Sequence, residues 1–140
     1  MPPKIQKKKK LQKSKSLEVN KEAVRILRTV RDEEAFYFYE TLGKPTGECA
    51  RNLSDFLVKM KSVKSESLVF HLQRKDFQNW IKKTLGDSKL AKKLDEIQLS
   101  HGDLRTKIHA IIENRIEELK ETRLALLVSE DLPIVSSGST

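Results

Sequence analysis

Apolar residues recur three and four positions apart along most of the chain, the spacing that lines one face of an α-helix. Val24, Leu27 and Val30 share a face of a helix predicted over about 18–32. After residue 52 the pattern is helical almost without interruption. Asn52 or Ser54 offers a cap to a helix carrying Leu53, Phe56, Leu57 and Met60. A helix over about 65–73 presents Leu68, Val69 and Leu72, and Asp76 is a candidate N-cap for one that aligns Phe77, Trp80, Ile81 and Leu85. Gly86 stops that helix and Asp87 caps the next, with Leu90, Ala91, Leu94 and Ile97 inward. Gly102-Asp103 repeats the break before a long last helix over about 103–128, which carries Leu104, Ile108, Ile111, Ile112, Ile116 and Leu119.

One stretch breaks the helical period. Phe36-Tyr37-Phe38-Tyr39 is four consecutive aromatics, half of the eight in the chain, and predicts a short strand or buried extended segment near 35–39. Aromatics in series also suit base stacking, but that use needs a charged groove to track phosphates. The core is the better use for them. Gly43-Lys44-Pro45-Thr46-Gly47 then reads as a loop, because a phosphate-cradling Walker loop needs a lysine and a hydroxyl after its last glycine, and here Glu48 and Cys49 follow. The fold class expected is mainly α: a compact bundle of five to six helices, with at most a short strand element.

Charge divides the chain unequally. Residues 1–17 hold Lys4, Lys7, Lys8, Lys9, Lys10, Lys13 and Lys15 and no acid, which leaves 21 basic residues against 20 acidic ones in 18–140. Most of the formal +8 is therefore a tail, expected to be intrinsically disordered because like charges repel and little there can be buried. Residues 18–128 read as a single helical domain, and 129–140, with Pro133, Gly138 and four serines, as a flexible end. A lone Cys49 excludes an internal disulfide and suits a reducing compartment. Polar Gln12, Ser14 and Ser16 follow the basic start where a secretory signal needs an apolar stretch, and no run approaches the roughly 18 apolar residues of a membrane helix. The expectation is a cytoplasmic protein.

His71, Arg74 and Asp76 form the polar constellation worth testing. His71 and Arg74 lie one helical turn apart, and Asp76 stands at the head of the next helix. They form either an anion pocket, with Arg74 as clamp and His71 as acid–base group, or a structural corner in which Asp76 caps and Arg74 pairs locally. The corner is the expectation. His101 and His109 have no Cys or His at metal-ligand spacing, and no serine sits in a G-x-S-x-G elbow. No catalytic residue, metal or cofactor is expected. The segments 77–85 and 88–97 have the size of a helix-turn-helix, but Ser88, Lys89, Lys92 and Lys93 lack the Arg, Asn or Gln that reads bases.

The run His71-Leu72-Gln73-Arg74-Lys75-Asp76-Phe77-Gln78-Asn79-Trp80-Ile81, followed by Leu85-Gly86-Asp87 and Leu90-Ala91, resembles a prokaryotic, largely archaeal family of small uncharacterised domains, domain of unknown function 5752. The likeness extends from about Phe36 through Leu42-Gly43, Thr46-Gly47 and Leu53-Ser54-Asp55-Phe56 to the last helix near Leu119. It implies a compact helical domain with an intracellular life and brings no activity with it. The lysine tail lies outside the shared pattern.

Function is then expected to be binding without catalysis. Lysines with no arginine among them suit sequence-independent contact with DNA or RNA phosphates better than bidentate reading of guanine. The alternative is a protein–protein adaptor whose tail only solubilises, and the third reading is an enzyme or phosphate site around His71 and Arg74. A membrane surface fits poorly, since Ile5 and Leu11 offer little to insert. Oligomeric state leaves no mark on the sequence.

Overall fold

The computed structural model describes residues 17–99 and 102–138, with side chains to residue 123. Helix α1 spans 17–27. A 3-10 turn, Asp32–Glu34, leads into strands β1 (Phe36–Thr41) and β2 (Lys44–Ala50). Helices α2 (Leu53–Ser62) and α3 (Ser65–Gln73) follow. The short α4 (Asp76–Asn79) widens into a π turn over Trp80–Leu85. Helices α5 (Ser88–Asp95) and α6 (Leu104–Gly138) complete the described chain. Six helices and one two-stranded sheet make the fold mainly α, as the periodicity predicts.

The hairpin lies over α2 and α3, while α6 packs along α2, α3 and α5. Alternation in β1 sends Phe36 and Phe38 inward and Tyr37 outward. The inward rings meet Phe56, Phe77 and Trp80, with Phe36 centred 4.9 Å from Phe38 and 5.1 Å from Phe77. Phe56 stacks on Trp80 at 5.9 Å. Trp80 is buried on the stripe with Phe77, Ile81 and Leu85, and its indole N–H donates to the Glu34 carbonyl at 2.8 Å. Leu90, Leu94, Ile108, Ile112, Ile116 and Leu119 continue the same core.

Outside the α3–α4 corner the fold departs from the sequence pattern in three places. The first helix ends at residue 27, not 32, because the Val30 N–H leaves the helical path to donate to the Arg51 carbonyl at 2.8 Å. Its buried residues are Ala23 and Ile26, Val24 is 48% exposed, and Val30 enters the core from beyond the helix end. The second correction is Lys44–Gly47, which is strand instead of loop. Pro45 is tolerated since a two-stranded sheet has an outer edge that needs no N–H. Thr46 Oγ1 bridges the irregular register by donating to the Phe38 carbonyl at 3.0 Å and accepting from the Glu48 N–H at 3.1 Å. Third, the backbone of α6 continues past residue 128 to Gly138.

The punctuation around α5 follows the sequence closely. Gly86 ends the π turn at φ +87, and an added Cβ there would meet the Arg25 guanidinium at 3.0 Å. That guanidinium donates to the Gly86 carbonyl at 3.3 Å, and Arg28 donates to the Thr84 carbonyl at 2.7 Å. The two arginines thereby pin α1 onto the end of the π turn.

Candidate functional site

The corner between α3 and α4 brings His71, Arg74 and Asp76 together. Helix α3 closes at Gln73, Arg74 stays helical, and Lys75 turns the chain with φ +64 before Asp76 starts α4. Asp76 was expected to cap that helix, but the cap position is Lys75 and no side chain fills it. The Asp76 carboxylate faces back toward α3 instead. Its Oδ2 accepts from His71 Nδ1 at 2.9 Å and from Arg74 Nε at 3.1 Å.

His71 is 2% exposed and engaged on both ring nitrogens. Nε2 accepts the Tyr39 backbone N–H at 2.8 Å, so the proton sits on Nδ1 and is donated to Asp76. Burial holds the imidazole below its ordinary pKa, outweighing the opposing pull of Asp76. A neutral His71 thus ties β1 to α3, with Ser67 Oγ donating to the Tyr39 carbonyl at 2.7 Å beside it. Taking up a proton at Nε2 would set two donors against each other. The ring cannot exchange protons there without releasing the strand.

Arg74 is the outer member of the corner. Its guanidinium lies 4.8 Å from the Phe70 ring centroid, and about half of the side chain is exposed. It borders a cavity of about 560 Å³ whose walls include Tyr37, Tyr39, Leu42, Phe70 and Asn79. The geometry is therefore a strut on the His71 side and an open face on the Arg74 side.

A second cluster escaped the sequence reading. Asp87 caps α5 through the Leu90 N–H at 3.1 Å, as expected, but also receives Arg115 from α6. Arg115 Nε donates to Oδ2 at 2.7 Å and Nη2 to Oδ1 at 3.2 Å. Both residues are buried, and Arg115 also contacts Glu118. Desolvation works against the guanidinium charge, yet Asp87 and Glu118 prevail and raise the Arg115 pKa further. Arg115 sits in an otherwise polar run of a long helix, so only the fold reveals its partner. Arg105 is a similar case: its fork donates to the Val63 carbonyl at 2.7 Å and contacts the carbonyls of Met60 and Lys61, closing the C-terminus of α2.

The other sequence candidates stay apart. Lys89 in the helix-turn-helix-sized unit pairs with Glu118 at 3.2 Å, and Leu90, Ala91 and Leu94 pack α5 into the core. Among the described residues no group of three His, Cys, Asp or Glu side chains could hold a metal ion, and no helix is long and apolar enough to cross a membrane. Lys4, Lys7, Lys8, Lys9, Lys10, Lys13 and Lys15 lie outside the described residues, as does His101. Comparison of the chain with protein-family models, curated proteins and solved structures finds no match.

Proposed function

We propose that this protein is a non-catalytic binding module whose lysine tail makes sequence-independent contacts to nucleic acid. The observation that carries this reading is the division of charge: seven lysines and no acid in residues 1–17, joined to a body with nearly balanced charge. The engagement of His71 on both nitrogens supports the non-catalytic half, since the acid–base group of the α3–α4 corner is spent on holding β1.

The test is the salt dependence of binding to duplex DNA and RNA by full-length protein. If all seven lysines meet phosphates, the log–log slope approaches about −6 on duplex DNA. Deleting residues 1–16, which spares α1, removes most of the affinity while the helical circular dichroism stays. A truncated protein that binds as tightly as the parent would refute the tail as the contact.

The adaptor reading draws on α1, where Leu17, Val19 and Val24 are each more than two-fifths exposed. Pull-downs with and without nuclease separate the two. A captured protein that survives nuclease treatment favours the adaptor.

A further inference from the structure

Base stacking needs a charged groove that tracks phosphates. The fold supplies one. Between α4 and α5 runs a groove of about 450 Å³ lined by Lys75, Gln78, Asn79, Lys82, Ser88, Lys92 and Asp95. Asn79 also lines the aromatic cavity beside Arg74, so the two depressions adjoin. We infer that this composite surface binds single-stranded nucleic acid, with an unpaired base in the Tyr37–Phe70–Arg74 cavity and the flanking phosphates along Lys82 and Lys92.

The carboxylates nearby are already engaged. Asp76 holds His71 and Arg74, and Asp95 holds Lys75 and accepts from Gln78 Nε2 at 3.5 Å. Lys82 and Lys92 are exposed and take part in none of the ion pairs formed among the described residues, so their charge is left for a ligand. Two lysines on one groove wall suit phosphodiester oxygens, which accept from a point charge without fixed geometry. The floor carries a further demand. Gln78 is 6% exposed, and its Oε1 is buried with no hydrogen-bond partner. A donor brought in by the ligand, such as a base amino group or a ribose hydroxyl, would meet that acceptor once the amide turns outward.

The cavity fits a base for complementary reasons. Tyr37 and Phe70 line it with aromatic side chains, Leu42 at the hairpin tip is 79% exposed, and the Arg74 guanidinium over the Phe70 ring presents a planar cation on which a base can stack. Arg74 spends Nε on Asp76 and keeps its terminal nitrogens for the ligand. Stacking faces beside a cationic track are the working parts of single-strand binders, and a duplex hides its base faces from them.

The inference rests on the nucleic-acid reading above and is tested separately from it. Full-length protein is titrated with a single-stranded oligonucleotide and with one of equal length whose alternate nucleotides are abasic, every phosphate kept. A base in the cavity makes the intact strand bind about tenfold tighter or more. Two surface variants, Leu42→Glu at the cavity mouth and the double Lys82→Glu/Lys92→Glu in the groove, should erase that preference. Duplex binding, which belongs to the tail, should change by less than about twofold in both. Equal binding of intact and abasic strands by the parent overturns the inference and leaves the tail reading standing. A preference that survives in both variants places the base elsewhere and also overturns it. No binding to any nucleic acid refutes both readings.

Discussion

Replacing Asp87 should unfold this protein far more readily than its position in a surface-like Gly-Asp turn suggests. The carboxylate is 1% exposed and serves two partners, the bidentate Arg115 and the Leu90 N–H. Removing one member of a buried pair strands the other charge, at about 3–5 kcal/mol. Glu118 stays near Arg115 and softens the loss, which places Asp87→Asn toward the lower end, about 3 kcal/mol. Asparagine keeps an oxygen for the cap, whereas Asp87→Ala forfeits it and should cost about 1 kcal/mol more. Together these correspond to a fall in melting temperature of roughly 10–20 °C for a chain of this size. The decisive comparison is the double variant Asp87→Asn/Arg115→Met, in which no charge is left stranded. It should recover part of the loss, seen in urea unfolding as a higher midpoint than Asp87→Asn alone. An Asp87→Asn protein within about 1 kcal/mol of the parent, or a double variant whose losses simply add, would show that the pair is not coupled in the folded state.

His71 is held neutral below its ordinary pKa, so the unfolded chain binds a proton that the folded chain refuses. Stability should decline as pH falls from about 6.5 toward the folded value, and His71→Gln should flatten that decline in melting curves; Glu40 and Glu118, whose pKa values are lowered, act only further to the acid side. Arg105→Ala leaves the Val63 carbonyl without its donor and should cost about 1–3 kcal/mol, with Arg105→Lys failing to restore it because one ammonium cannot reproduce the fork. Trp80→Ala should cost about 3–5 kcal/mol in chemical unfolding, and Trp80→Phe appreciably less, losing the Glu34 contact but keeping the packing against Phe56. Asp76→Ala strands the buried His71 Nδ1–H and should cost about 1–3 kcal/mol, whereas Arg74→Ala at the half-exposed edge should cost under about 1 kcal/mol. Equal losses from those last two would mean that Arg74, not His71, anchors the corner.

The helices were legible wherever burial and period agree. Phe77, Trp80, Ile81 and Leu85 form one stripe, and Gly86-Asp87 ends one helix and begins another, because both signals are local. Local pattern does not set the backbone where a distant partner decides. Residues 28–30 keep a helical pattern, yet the Val30 N–H is claimed by Arg51 across the fold. The Gly43–Gly47 stretch has loop composition, but the aromatic strand beside it supplies the hydrogen bonds that make a second strand worthwhile. Local propensity describes what a segment does alone, and a hairpin's second strand is never alone.

The corner shows the same limit at the level of chemistry. The sequence could place His71 and Arg74 on one helical face, since that follows from a separation of three residues. It could not say what lies opposite that face, and there the choice between strut and site is made. Opposite His71 stands the Tyr39 N–H, in an irregular stretch of strand, and it fixes the tautomer and removes the ring from proton exchange. Opposite Arg74 there is open space bounded by aromatic rings. One turn of helix thus carries a residue committed to the fold and another left over from it, and any ligand at this corner must be met by the second.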